Sequence, residues 1–423
     1  MLLLCVFVGA AHAATITVTN RNDNGSGSLR QALVDANDGD TITFAVTGTI
    51  VLTSGGLVID KNVTISGPGP DRLSIDGNQA NFQCVFGVAQ YNTANTATIS
   101  GLTVTNGVCG IYSDHSILTV SNCVVTANRS DGPSFFGIGI NNMRGPTARV
   151  ERRNDCDARE TYGDRPAGFA MLTVANCVIS DNSGSGVENL SAAVTITNST
   201  ISGNSAGRGG GIYTDGGKLP GNLTVINSTI SGNFASLGGG ISSGFSVLTI
   251  INSTISGNSA DDTDSYGGGI AADGGGVVPP ALTITNSTVS GNSAATCGGV
   301  CGGTVEILNT ILNANASGNI GGTVTSRGYN VCSDDGGGLL TGPGDQINTN
   351  PLLGSLRNHG GPTLTHMPMR GSPAIDAGDP SFTPPPDHDQ RGACFLRVFG
   401  GRIDVGSVET QLRPRCVTPA PRP

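Results

Sequence analysis

TNSTISGN (197–204), INSTISGN (226–233) and INSTISGN (251–258) are almost the same eight residues written three times, and their recurrence decides the fold. The motif continues outward with drift, as SNCVVTAN (121–128), ANCVISDN (175–182), TNSTVSGN (285–292) and LNTILNAN (308–315). From Asn176 to Asn309 its first asparagine steps by 22, 29, 25, 34 and 23 residues, which describes a constant core with loops of variable length. Self-similarity at such a period marks a solenoid or array. Each of the regular repeats has an LTI- or LTV-like stretch before the motif, at Leu223, Leu248 and Leu282. Most have a GGGI-type stretch after it, at Gly209 to Ile212, Gly238 to Ile241 and Gly267 to Ile270. Three short β-branched segments separated by Gly, Asn, Ser and Asp read as three strands per repeat. A chain that closes a circuit every ~22 residues and climbs one strand spacing of ~4.8 Å is a parallel β-helix.

The expected fold class is thus all-β, a right-handed single-stranded parallel β-helix of the pectin-lyase-like kind, with a short N-terminal capping helix and an irregular C-terminal cap. Alternation along INSTISGN places Ile226, Ser228 and Ile230 inward and Asn227, Thr229 and Ser231 outward. Asn204, Asn233, Asn258 and Asn292 recur at one turn, where they can bond along the stack and adopt the left-handed conformation. Counted from Ile59, nine or ten coils stack to ~45 Å. Ser28-Leu29-Arg30-Gln31 reads as a capping box opening a helix toward Asp38-Gly39, a lid on the first coil. The expected organisation is a leader (1–13), a cap with first strands (14–58), the β-helix (59–341), a C-terminal region (342–410) and a Pro-rich tail (411–423).

Composition agrees with a thin, repetitive core: 65 glycines, 4% aromatics, no tryptophan and 13% charged residues in 423. The opening MLLLCVFVGAAHA reads as a secretory leader cleaved after Ala13, which implies export. No later run reaches the ~20 apolar residues of a membrane span. Without Cys5 ten cysteines remain, an even number that an oxidising compartment can pair, with connectivity left open. Cys84 and Cys109 are 25 apart, close to one repeat, and are expected on neighbouring coils. Cys297 and Cys301 suit a local loop closure rather than a metal site. A net charge of −9 repels nucleic acid and other polyanions.

Between Met143 and Ala170 the charged stretch RGPTARVERRNDCDARETYGDRPAGFA breaks the pattern. Removing this 28-residue insert (143–170) from the 54 residues between Asn122 and Asn176 leaves one coil, so Cys123 and Cys177 are expected to stack. The insert reads either as a binding loop or as a solvated excursion. Beyond it, NPLLGSLRNHGGPTLTHMPMRGSPAIDAGDP (350–380), with Asp389-Gln390-Arg391-Gly392 and Asp404 to Glu409, resembles the choice-of-anchor Q domain of bacterial surface proteins. TVTNRNDNGSGSLRQALVDAN (17–37) resembles the opening segment of related exported β-helix proteins, and the GGGI and SGN repeats are similar to polymorphic outer-membrane protein repeats. The resemblance implies a secreted or cell-surface location and a role such as adhesion.

Chemistry is sparse. Asp215 and Asp273 follow GGGI at one coil position two coils apart, hence ~9.6 Å if stacked, a separation at the margin for an inverting carboxylate pair. Asp114 after GIYS shares their register, which also suits a repeated turn residue. Asp261, Asp262 and Asp264 with Tyr266 form a loop that reads as a Ca²⁺ or sugar site or as a solvated acidic turn. No cofactor other than this candidate Ca²⁺ is indicated. From Met171 to Thr310 the only cations are Arg208 and Lys218, which argues against an acidic-sugar lyase. His115, His359, His366 and His388 are scattered and read as structural. The sequence therefore favours a non-enzymatic secreted or cell-surface rod serving adhesion, contact with carbohydrate or another cell-surface component, or structural spacing. Its alternatives are a carbohydrate-active lyase or hydrolase, and a truncated passenger of a surface protein.

Overall fold

The computed structural model describes residues 13–79, 84–88, 95–129, 137–143, 170–217, 221–273 and 281–411. The leader, nearly all of the charged insert and the Pro-rich tail lie outside the described residues. The described chain winds into a parallel β-helix with three faces. Face I carries the LTI-type strands from Thr15–Val18 to Ala281–Thr285 and beyond. Face II carries the STIS strands from Gly48–Val51 to Val331–Cys332. Face III carries the GGGI strands from Leu57–Ile59 to Ile270–Asp273 and into Val300–Leu308.

Every strand pairs in parallel with its repeat one coil away, in the register set by the motif. Leu223 lies against Leu248 and then Leu282, Ile201 against Ile230 and Ile255, and Ile212 against Ile241 and Ile270. These residues are 0–1% exposed and form one continuous core of small aliphatic side chains. Each contributes about 1.5–3 kcal/mol by burial. A third short sheet, Ser205–Arg208, Phe234–Leu237 and Ser259–Ala260, lines the corner between faces II and III.

The two asparagines of each repeat do separate jobs, which revises the sequence reading. The first, at Asn176, Asn198, Asn227, Asn252, Asn286 and Asn309, has φ between 48° and 54° and turns the chain from face I to face II. The second, at Asn182, Asn204, Asn233, Asn258, Asn292 and Asn315, is buried and needs no left-handed backbone. Its Nδ2 donates to Oδ1 of the asparagine on the next coil at 2.8–3.0 Å from Asn182 through Asn292. The backbone N–H of each also donates to that same oxygen. The bend at Asn227 interrupts alternation, so Ile226 points outward and is half-buried, against expectation, while Ser228 and Ile230 do face inward. The serines form a second row: the N–H of Ser199 donates to Ser228 Oγ, that of Ser228 to Ser253 Oγ, and that of Ser253 to Ser287 Oγ.

Cys123 and Cys177 occupy this serine row one coil apart, as the insert arithmetic required, but both remain free thiols. Cys332 is likewise free and buried. Complete pairing of the cysteines therefore does not hold: Cys123 and Cys177 face the interior as small ladder residues, and Cys332 continues the aliphatic row of face II beyond Leu312. Cys84–Cys109 and Cys297–Cys301 are disulfides.

At the N-terminus α1 (Leu29–Asp35) closes the first coil, ending before the expected Asp38. Ser28 Oγ accepts the Gln31 N–H, but the Gln31 side chain bonds Asp35, so only half of the capping box forms. At the other end the chain goes further than capping. Residues beyond Gly342 double back along face II: Thr229 Oγ1 donates to Leu364 O, Gln390 Nε2 donates to Thr229 Oγ1, and Ser407 meets Thr254 and Thr288. Thr229 and Ser231 are consequently buried under this strap rather than exposed. Inside the strap Arg391 pairs with Asp389 at 2.7 Å, Asp404 accepts the N–H groups of Asp376 and Thr410, and Glu409 accepts those of Phe399 and Asp404. Among the described residues no helix is long and apolar enough to cross a membrane.

Candidate functional site

The polar side chains that break the repeat gather on the outer surface of face III. Strand pairing puts Tyr112, Asn141, Glu188 and Tyr213 in one outward row on four successive coils. A second outward row runs Asp114, Met143, Leu190, Asp215 and Gly244, and strand register continues it to position 273. Asp215 and Asp273 thus share a row with one coil between them, and Asp114 shares it three coils below Asp215. Asp215 Oδ1 accepts the Gly217 N–H at 2.9 Å, the turn role foreseen for this position. Asp114 is paired with His115 at 2.5 Å.

Glu188 was not singled out from sequence. Its Oε2 accepts Asn141 Nδ2–H at 2.8 Å, and Asn141 Oδ1 is left without a hydrogen-bond partner. Burial pushes its carboxyl up to about 7. One coil on, Tyr213 donates its hydroxyl to Asp215 Oδ2 at 3.1 Å. Burial, then the Asp215 carboxylate, raise the Tyr213 phenol, while Arg208 lowers it.

Arg208 also lines an open cleft of about 320 Å³ at the adjoining corner, with Ser236, Leu237, Asp262, Asp264 and Tyr266. Three of the four loop candidates thus reach one concavity beside the exposed cation. Asp261 does not line it; its N–H bonds Ala235 O. Asp262 Oδ1 accepts the Thr263 N–H at 2.7 Å, the local turn capping of the solvated-loop reading. Among the described residues no three acidic, histidine or cysteine side chains come together as a metal-sized group. His366 lies against Ser256 and Gly354 in the strap, a structural placement.

The sequence carried one signal for Glu188: it is the only glutamate between Met171 and Val305, and it sits where other repeats have GGGI followed by small residues. Its neighbour Asn141 is 47 residues away, across the insert, which hid the pairing.

The family described as right handed beta helix region matches residues 86–241 and 160–316. The chain belongs to this family. Among solved structures, pectate lyase Pel9A superposes with a TM-score of 0.56 at 15% identity, covering 95% of this chain and 98% of that one. The β-helix therefore follows a pectate-lyase-like path along nearly its whole length. Looser matches are the Agl-KA catalytic domain, with a TM-score of 0.32, 16% identity and coverage of 72% and 54%, and a mannuronic acid specific polysaccharide family 6 lyase from human gut microbiota, with 0.29, 8%, 76% and 87%. At these identities the likeness concerns the fold. No curated protein sequence matches the chain.

Proposed function

We propose that this β-helix is an exported protein that holds a polysaccharide chain along the flank running from Tyr112 past Glu188, Tyr213 and Arg208 to Tyr266. The observation that carries the reading is the outward row of Tyr112, Glu188 and Tyr213, with Asp215 bonded to Tyr213, beside a corner cleft lined by Arg208, Asp262, Asp264 and Tyr266. Tyrosine faces stack on sugar rings, while carboxylates and a guanidinium bind hydroxyls in bidentate fashion, so the mixture suits an extended carbohydrate. A polymer is favoured over a small molecule because the polar groups are spread over several coils along an open surface, whereas small ligands are mostly enclosed. Pectate lyase Pel9A, whose fold this chain shares, is named for action on a polysaccharide, which supports the same class of ligand.

Export is supported by the leader-like opening and by the Cys84–Cys109 and Cys297–Cys301 disulfides, which suit an oxidising compartment. Surface anchorage of the kind suggested by the choice-of-anchor Q resemblance of residues 350–409 belongs to the same proposal. Affinity electrophoresis on a panel of neutral and acidic polysaccharides tests the binding. At least one polymer is expected to retard the protein, and Arg208→Ala combined with Tyr213→Ala is expected to weaken retardation about tenfold, on the order of 1.4 kcal/mol. Retardation by no polymer, or retardation unchanged in the double variant, overturns the reading.

A further inference from the structure

We infer that Glu188 and Asp215 form a general acid and general base pair that cleaves a glycosidic bond of the bound polysaccharide by hydrolysis with inversion. The inference rests on the polysaccharide reading above and adds a reaction to it. Glu188 pairs with Tyr213 across one coil, and Asp215 lies two residues further along the same outward face. One strand spacing and two residues of rise put the two carboxylate-bearing positions ~8 Å apart. Inverting hydrolases hold their two carboxyl groups about 6.5–9.5 Å apart so that a water fits between base and anomeric carbon, against about 5–5.5 Å for a covalent nucleophile, and side chains rising side by side from positions ~8 Å apart suit the wider range. The pair sits one coil apart, closer than the Asp215 and Asp273 spacing, which falls at the edge of that range.

The two carboxyls have unlike surroundings, which divides the roles. Asn141 occupies Glu188 Oε2, leaving Oε1 to carry a proton, and burial raises the carboxyl to about 7, so the protonated form predominates below that pH. Asp215 accepts the Tyr213 hydroxyl and the Gly217 N–H, two hydrogen bonds that hold an acceptor in place. In the reaction Glu188 gives its proton to the glycosidic oxygen as the bond from that oxygen to the anomeric carbon breaks. Asp215 takes a proton from the water whose oxygen forms the new bond to that carbon. The products are two shorter chains, one with a new reducing end, and a proton returns from Asp215 to Glu188 through solvent. No oxidant, reductant or further reactant is required. Tyr213 is a positioning residue, because it acts through Asp215.

The test uses the full chain and whichever polysaccharides retard it, with reducing ends, absorbance from unsaturated ends, and the anomer first released followed together. Reducing ends are expected without unsaturated ends, and the first anomer is expected to be inverted. Glu188→Gln and Asp215→Asn are each expected to lower the rate at saturating polymer at least 100-fold. The wild-type rate is expected to fall as pH rises above about 7, a limb absent from residual Glu188→Gln activity. Retardation without reducing ends, unsaturated products, a retained anomer, or activity surviving both substitutions overturns the inference while leaving the binding reading intact. Retardation by no polymer overturns both.

Discussion

At the residue scale, the repeat uses asparagine for two incompatible reasons. Asn227 supplies a left-handed backbone conformation, which glycine also supplies at no steric cost. Asn233 supplies a side chain whose oxygen takes two N–H groups of Asn204 and whose amide reaches Ile201 O and Asn258 Oδ1. Asn227→Gly is therefore expected to leave the melting temperature nearly unchanged. Asn233→Ala orphans buried donors on the coil below and is expected to cost about 2–4 kcal/mol. Hydrogen exchange should show the loss concentrated in Thr200–Ser202 and Thr254–Ser256, and equal effects of the two substitutions would refute the division of labour. Asp23 offers a second test at this scale. Burial alone would raise its carboxyl, but hydrogen bonds from Ser54, Arg30 and Thr53 outweigh burial and hold it well below the usual carboxylate range. A carboxyl lowered in the folded state contributes stability that is present above its unfolded value and is lost as pH falls through the folded one. Asp23→Asn is expected to melt several degrees below wild type at pH 7. The gap should close as pH is lowered from about 4 downward, as followed by circular dichroism.

At the element scale, the strap changes what a face II strand is. Thr103–Thr105 and Thr200–Ser202 bury only their central residue, whereas Thr229–Ser231, Thr254–Ser256 and Thr288–Ser290 are buried throughout. Gln390 is the fastener: its amide donates to Ser228 O, Thr229 Oγ1 and Thr363 Oγ1, and its oxygen accepts Thr254 Oγ1–H at 2.6 Å. Gln390→Ala removes these four bonds, but Ser228 O, Thr229 Oγ1, Thr363 Oγ1 and Thr254 Oγ1 each keep one other partner, so the expected cost is about 1–3 kcal/mol in all. Faster proteolysis within 342–411 and lower exchange protection at Thr229–Ser231 are expected, with Thr103–Thr105 unchanged. Strands of face III are legible from the GGGI pattern, and Gly238 shows why. Its φ is 65°, and a Cβ there would lie 2.7 Å from Ser242 Cβ, so the corner must turn at a glycine for the strand to start.

At the scale of the whole molecule, a solenoid's stability is a sum of coil terms and nearest-neighbour terms, which lets its ends open independently. The strap adds contacts that skip coils, joining residues 110–162 positions apart in sequence. Denaturant unfolding monitored by hydrogen exchange is thus expected in more than one step, with the coils of Thr103 and Val124 opening before those of Thr254 and Thr288. A single cooperative loss of all coils would contradict the picture.

What the sequence by itself determined is everything that repeats: the three strands per coil, their register, the buried asparagine row, and the stacking of Cys123 on Cys177 across the insert. The physical reason is that a parallel β-helix pairs each strand with its own copy one coil away, so the same residue must recur where the same bond is made. Position in the motif is then position in space, and Asp215 could be set in one row with Asp273 before any coordinate was known. The tertiary structure alone decided what happens once. The strap lies on face II because of single contacts to distant residues, with no copy to betray them. The candidate site forms because an irregular coil puts Glu188 beside Asn141 on one neighbour and Tyr213 on the other, while the corner of a later coil brings the Tyr266 loop to Arg208. These are meetings between different residues on different coils, and only closure of the helix brings them together.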